Sequence, residues 1–283
     1  MPTGIDHIVI AVHSLESAIA DYRRAGFTVT LGGDHVGGAT HNALVPFADG
    51  AYFEIIAFRD PEQASDHAWA SRLLKGEGLI DYALRADDLK EEVTALRTRG
   101  LNTSDPHDGG RTRPDGQRVA WQTIRFLGAS SSALPFYCVD RTERPLRVPG
   151  GEAVIHQNGI RGVEGVTVVV NDLAAAGAQF AALTGDEGRA IEVADEPVAA
   201  GRQFRIGEAN WIRVLQPGAS ASDLRDHLEH RGDSIYAVSL VASAGGDDAI
   251  PLGLAHGARL LLPNARTVWD AEDEDAESPI SVR

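Results

Sequence analysis

Residues 4–29, GIDHIVIAVHSLESAIADYRRAGFTV, decide the reading of this chain. Ile8, Ile10 and Val12 fill one parity of the opening run, while Val9 and Ala11 share the other with His7. A segment apolar on both parities reads as a strand covered on both faces, and a polar ring within it needs a partner. Ser14 is placed to cap a helix, with Ser17 in its N3 slot, and Gly26 is the stop. Short apolar runs bounded by glycine or aspartate follow at 26–33, 40–47 and 51–58, which gives the order βαβββ.

That order returns. GLIDYALRADDLKEEVTALRTRGL (78–101) offers a strand, a helix over Asp87–Arg99 and Gly100 as its stop; strands at 118–127 and 134–140 follow the PDG turn at 114–116. A third copy opens with GVEGVTVVVNDLAAAGAQFAALTG (162–185), where Asp172 starts the helix and Gly185 ends it. The fourth is degraded. DSIYAVSLVA (233–242) is a good strand and GARLLLPN (257–264) supplies another, but no long helical pattern lies between them. Repeated units describe the chain better than two unrelated domains. The expected fold class is α+β, built from tandem βαβββ modules. Modules are expected at 1–62 and 79–140, making a first domain over 1–143, and at 161–218 and 233–265, making a degraded second half over 161–269. A linker at 144–160 separates the two, and 270–283 reads as an acidic tail.

Composition is that of a folded globular protein, 43% hydrophobic and 24% charged over 283 residues. A net charge of -15 removes the basic footprint that nucleic acid or an anionic membrane would require. Part of it is concentrated in DAEDEDAE (270–277), a solvated run. The lone cysteine, Cys138, excludes an intrachain disulfide and reads as a small buried hydrophobe within LPFYCV (134–139). No apolar run is long enough to span a membrane and no basic stretch precedes the first strand, so a cytoplasmic location is expected.

Several stretches together resemble the vicinal oxygen chelate superfamily, in its glyoxalase-like branch: DHIVIAV, GGATHNALVPF with YFEIIAF, GRTRPDGQRVAWQ (110–122), LPFYCVD (134–140) and HQNGIRGV (156–163). The superfamily includes glyoxalase I, extradiol dioxygenases and bleomycin-resistance proteins. The resemblance implies paired modules forming cupped, partly closed mixed sheets with helices outside, around a divalent cation (Zn, Ni, Mn or Fe), with ligands from first and last strands. His7 and Glu54 then match the ligands of the first module. Tyr82 stands in the place of His7 in the second module, where no carboxylate matches Glu54. Gly165 and Ile212 are the equivalents in the third, and Ala237 stands where the fourth would have its histidine.

Two ligands are fewer than a first-row metal usually takes. His41 is a further candidate: a two-residue turn at Asp49-Gly50 would pair Val45 with Glu54 and put His41 on the Glu54 face, some way along the strand. His35, in the loop GGDHVGGA, is free to fold inward. Arg111 and Arg113 are candidates for binding an acidic substrate from a loop at the mouth of the cup, because a guanidinium fork matches a carboxylate. Trp121, Tyr52 and Tyr82 are candidate lining residues. No GxSxG elbow is present, and the glycines of GGDHVGG join strand to strand instead of opening a helix, so neither nucleophilic hydrolysis nor a nucleotide cradle is supported.

The expectation is a metal-dependent isomerase or lyase acting on a small oxygenated metabolite, with Glu54 both ligand and catalytic carboxylate. Extradiol cleavage is disfavoured, since it needs two histidines and one carboxylate. The competing expectation is a metal-free protein that sequesters a small molecule, as bleomycin-resistance relatives do. The degraded half is expected to buttress the first pair or to form the surface of a homodimer.

Overall fold

Strand β1 (Gly4–Ala11) is buried along its whole length, as its two apolar parities require. The computed structural model describes residues 1–60, 69–128, 133–191, 198–243 and 250–262. Helix α1 (Leu15–Arg24) and strands β2 (Thr30–His35), β3 (Thr40–Pro46) and β4 (Tyr52–Phe58) complete the first βαβββ unit. After α2 (Ala70–Leu73), a second unit is built from β5 (Gly78–Arg85), α3 (Leu89–Thr98), β6 (His107–Thr112), β7 (Arg118–Ile124) and β8 (Phe136–Asp140). The helix starts follow the capping signals. Ser14 Oγ accepts from the Ser17 N–H at 3.2 Å, and Asp88 accepts from the N–H groups of Lys90 and Glu91 at 2.7 and 3.0 Å.

These eight strands close into a barrel in the order β1-β4-β3-β2-β6-β7-β8-β5. Strand β1 runs parallel to β4 and antiparallel to β5, which in turn runs parallel to β8, so each unit supplies one half of the barrel. The family resemblance implies a partly closed cup. Closure comes from β6, which pairs with β2 at Asp34–Thr112 and His35–Arg111. Its sequence, HDGGRT, carries two glycines and no apolar alternation, so the stretch holding Arg111 reads as a loop although it is a strand.

Helix α4 (Arg144–Arg147) and a 3-10 turn at Gly151–Val154 lead into the second half. There β9 (Ile160–Val169), α5 (Leu173–Thr184), β10 (Arg189–Ile191), β11 (Val198–Ile206), β12 (Asn210–Pro217), α6 (Ser222–Arg231), β13 (Ser234–Ala242) and β14 (Leu260–Leu261) follow. They form a six-stranded sheet in the order β10-β11-β12-β9-β13-β14. Among the described residues no helix follows β13, and residues 252–257 are turns. The acidic run at 270–277 lies outside the described residues.

One apolar cluster spans both halves, from Ile5 and Phe53 in the barrel to Phe180, Ile212 and Leu260 in the sheet. Polar contacts fix the join. His156 donates from Nε2 to the Pro46 carbonyl at 2.9 Å and accepts the Thr28 N–H on Nδ1 at 3.0 Å, and Asp49 Oδ2 accepts the Val163 N–H at 2.8 Å. The Tyr22 hydroxyl reaches the Ala255 carbonyl at 3.1 Å.

The second sheet has no counterpart of the first-unit ligand pair. In the barrel His7 pairs with Tyr52, and Glu54 is two residues on; in the sheet Gly165 pairs with Trp211, so Arg213, not Ile212, takes the Glu54 position. The Trp211 indole lies against Gly165 so closely that a Cβ there would be 2.2 Å from it, and the Arg213 guanidinium lies 4.4 Å from the Trp211 ring centroid.

His227, on α6, is half-buried against β13, with Nε2 2.9 Å from Ser234 Oγ and its ring edge-on to Tyr236. Burial, aided by the charges of Arg231, Arg259 and His230, pushes it down to about 4. The unfolded chain, with a histidine near its ordinary value of about 6.5, binds the proton that the folded site refuses. Stability is therefore full above that pH and is lost as pH falls toward about 4. His227→Gln is expected to flatten the Tm profile across that window, as read by circular dichroism.

Candidate functional site

His7 enters the barrel interior through a slip in the ladder. The β1–β5 register shifts between Ile5 and His7, leaving Asp6 as the bulged residue, and both side chains are buried. Asp6 Oδ1 lies 2.6 Å from His7 Nδ1. The carboxylate is held by Arg147, whose Nη1 and Nη2 reach Oδ1 and Oδ2 at 2.9 and 3.0 Å, and by Arg144 at 2.7 Å. Burial alone would raise the Asp6 carboxyl, but the Arg147 charge and the contact with His7 hold it well below the usual range. Arg147 is itself 1% exposed and also donates to Asp140 and to the Tyr52 hydroxyl, the latter at 2.7 Å. Tyr52 in turn stacks on the His7 ring with centroids 4.7 Å apart.

The far nitrogen of His7 faces Glu54, with Nε2 to Oε2 at 3.5 Å. The other Glu54 oxygen, Oε1, lies 3.2 Å from His35 Nε2 and accepts from Asn42 Nδ2 at 2.6 Å. His35 is anchored in turn, its Nδ1 lying 2.8 Å from Thr40 Oγ1. Burial would raise the Glu54 carboxyl, yet the His35 hydrogen bond, the charges of His35 and His7 and the Asn42 amide outweigh it and push it down to about 2. Asn42 Oδ1 is buried with no hydrogen-bond partner among the described residues. A carboxylate with an imidazole nitrogen at each oxygen can hold a cation between its neighbours or serve as a proton acceptor.

These groups border a cavity of about 280 Å³ inside the barrel. Trp69, Trp121, Phe136, Cys138, Arg111, Arg125 and Arg147 also line it. Arg111 lies in β6, buried, and donates to the carbonyls of Gly32 and Arg147 at 3.0 and 2.6 Å. Trp121 comes so close to Gly109 that a Cβ there would be 2.4 Å from its Nε1.

Three expectations are corrected. The β3–β4 turn holds three residues, not two: Phe47 N–H bonds Ala51 O and Asp49 caps the Ala51 N–H, so Leu44 pairs with Glu54. The one-residue slip puts Asn42 on the Glu54 face and turns His41 outward. His41 and Arg113 face a separate groove of about 800 Å³ between α1 and the β2–β3 pair, and Arg113 is bound to the Leu146 carbonyl and Asp115. Tyr82 pairs with Ile8, packs in the outer core and donates to the Ala133 carbonyl at 3.2 Å; the second-unit residue opposite His7 is Ala83. Ala83 pairs with Phe136, which leaves Cys138 in the register position of Glu54.

Among the described residues, one group of three potential ligands has all its donor atoms within 4.8 Å of one another: Asp6, His7 and Cys138. It does not suit a cation. Asp6 is already neutralised by two guanidiniums, and burial pushes the Cys138 thiol up, so it stays protonated.

Asp6, Asn42, Trp69, Arg125 and Arg147 did not stand out in the sequence. Asn42 becomes visible once the turn has its third residue, whereas Arg147 sits in a stretch that reads as linker.

Residues 5–184 match a family described as a glyoxalase-like domain. No curated protein matches the chain. Among solved structures, a hypothetical protein from Staphylococcus aureus is similar with a TM-score of 0.70 at 14% identity, over 91% of this chain and 98% of that one. A mutant of 4-hydroxymandelate synthase from Streptomyces coelicolor gives 0.56 at 13% identity, over 86% of this chain and 72% of that one. A xylose isomerase-like TIM barrel/4-hydroxyphenylpyruvate dioxygenase fusion protein gives 0.51 at 13% identity, over 86% and 37% respectively. At such identities these likenesses concern the fold.

Removing one member of a buried charge network leaves the other uncompensated. Arg147→Met is expected to cost about 3–5 kcal/mol in urea unfolding, and Asp6→Leu combined with Arg147→Met should recover most of it. His41→Ala should change stability by less than about 0.5 kcal/mol.

Proposed function

The chain belongs to the glyoxalase-like domain family of the vicinal oxygen chelate superfamily, and from that premise we propose that it is a metal-dependent isomerase or lyase. Its substrate would be a small oxygenated compound bound in the barrel cavity. The observation that carries this reading is the Glu54 carboxylate with an imidazole Nε2 at each oxygen.

Each imidazole–Glu54 pair, taken singly, is spaced as two ligands of a first-row divalent cation would be. Ligands about 2.0–2.2 Å from one ion stand roughly 3–3.5 Å apart, and the Glu54 oxygens lie 3.5 and 3.2 Å from His7 and His35 Nε2. Each ring's other nitrogen is fixed, by Asp6 and by Thr40, which is the support that ligating imidazoles usually have. The three donor atoms do not all lie within 4.8 Å of one another, so Glu54 would hold the ion with one imidazole, His7 or His35, and with oxygens of water or substrate; the ion would supply Lewis-acid polarisation of a substrate oxygen. Glu54 would take a proton from the hydroxyl-bearing carbon adjacent to the polarised carbonyl and return it to the carbonyl carbon in an isomerisation, the hydroxyl proton passing from one oxygen to the other; in a lyase the electron pair left on carbon would expel a leaving group instead. Trp121 and Tyr52 would exclude water from one side of the substrate. The second half would act as a buttress, since Arg213 stands where a ligand would be needed.

His35 supplies a second imidazole beside Glu54, the residue types that Fe(II) oxygenases use, although the three donor atoms do not all lie within 4.8 Å of one another. A metal-free binding protein is the competing reading. It is favoured by the direct contacts His7 and His35 make with Glu54, which satisfy the carboxylate within the chain.

Untagged protein purified without chelator is expected to carry close to one equivalent of divalent metal by plasma mass spectrometry. Glu54→Gln should lose it, and His35→Ala should bind it at least tenfold more weakly, with far-ultraviolet circular dichroism unchanged in both. Metal-free wild type that also fails to bind added Zn, Ni, Mn or Fe(II) would leave the binding protein. Oxygen uptake on adding Fe(II) and candidate substrates would move the assignment to an oxygenase.

A further inference from the structure

Three guanidiniums line the barrel cavity, and two of them are committed. Arg111 spends its Nε and Nη2 on backbone carbonyls, and Arg147 is bound to Asp6, Asp140 and Tyr52. Arg125 differs. Among the described residues its guanidinium has one hydrogen-bond acceptor, Asp81 Oδ2, 3.0 Å from Nη1, and its side chain is 42% exposed. Asp81 Oδ2 also accepts the Trp69 indole N–H at 2.8 Å.

The Arg125 fork is nevertheless held in a fixed plane. Its Cζ lies 4.6 Å from the Phe136 ring centroid and 5.2 Å from that of Trp69, a cation resting against two rings that are tilted to each other with centroids 6.1 Å apart, and pinned at one nitrogen. Such a guanidinium presents its remaining N–H groups in a defined direction, which suits bidentate capture of a carboxylate. Phe136 also meets His7 edge-on with centroids 5.3 Å apart, so one ring separates Arg125 from the Glu54 imidazoles. Around that span the walls are flat: Trp69, Trp121, Phe136 and Tyr52 border a cavity of about 280 Å³. That is slightly below the roughly 300 Å³ at which pockets for drug-sized ligands begin. Aromatic side chains on several sides favour a ligand with a flat apolar body.

Resting on the reading of this cavity as the substrate site, we propose that Arg125 anchors the substrate's carboxylate and that the substrate is a small planar acid, one carboxylate on an aromatic or conjugated body. Such an acid bound at Arg125 directs its far end past Phe136 toward His7, Glu54 and His35. The loop arginines suggested by the sequence do not do this: Arg111 is a brace and Arg113 lies outside.

The test compares benzoate with benzamide, which has the same ring but no charge, by isothermal titration in the presence of chelator. Wild type should bind benzoate at least tenfold more tightly than benzamide. Arg125→Gln should abolish that preference while leaving benzamide affinity unchanged, which also reports that the cavity is intact. Arg125→Lys, which keeps the charge and loses the fork, should retain only part of it. Equal affinities in wild type, no benzoate binding up to millimolar concentration, or a preference that survives in Arg125→Gln would each overturn the proposal. Because chelator is present throughout, failure of the metal reading leaves this result standing, and failure here leaves the metal measurement untouched.

Discussion

A buried guanidinium, that of Arg147, connects the closure of the barrel to the geometry of its interior. It is 1% exposed and gathers Asp6 from β1, Asp140 from the end of β8 and the Tyr52 hydroxyl from β4, while its backbone carbonyl receives Arg111 from β6. Four strands from both units therefore meet on one residue that follows the barrel in sequence. A buried ion network of this kind adds little net stability over an apolar substitute, but losing one partner is costly. Here the network sets orientation: the Arg147 charge is the largest influence holding Asp6 as a carboxylate beside His7, and Asp6 occupies His7 Nδ1, leaving Nε2 for Glu54.

The interior polar groups arise where strand regularity fails. The slip at Ile5/His7 lets two consecutive residues of β1, Asp6 and His7, serve the interior, which an unbroken alternation forbids. A second slip, between Leu31 and Gly33 in β2, precedes His35 and lies beside the short β2–β6 contact that closes the barrel. Glu54 alone sits in undistorted strand, paired with Leu44 and Val9. The regular part of the sheet supplies the carboxylate, and its irregular parts aim the imidazoles.

This division explains what the sequence could reveal. Alternating apolar residues and the helix-start signals at Ser14 and Asp172 are local, and they disclose the βαβββ units and those helix starts; which modules pair is decided by long-range strand contacts. Glu54 and His7 are legible because a resemblance marks their strands. Asn42 against His41 is decided by one residue in the Ala48–Gly50 turn, where Asp49 is occupied with the Ala51 and Val163 N–H groups. The second of those lies in the other half of the chain, beyond the reach of hairpin rules. Tyr82 misleads for the same reason, since a bulge in a neighbouring strand sets its face. Arg147 and Arg125 act across long sequence separations, and no local pattern distinguishes them from solvated arginines.

The Trp211 ring over Gly165 also bears on what this chain can become. Restoring a ligand pair in the second sheet would require a side chain at residue 165 where no Cβ fits, removal of the indole that fills the space, and reversal of charge at Arg213. Each change alone leaves a clash, a void or an unmatched charge, so no stepwise route of tolerated substitutions leads back. The sheet is a committed partner, not a dormant spare. New activities selected in this protein will be reached by altering the walls of the barrel, while the other half remains free to drift wherever volume and polarity are kept.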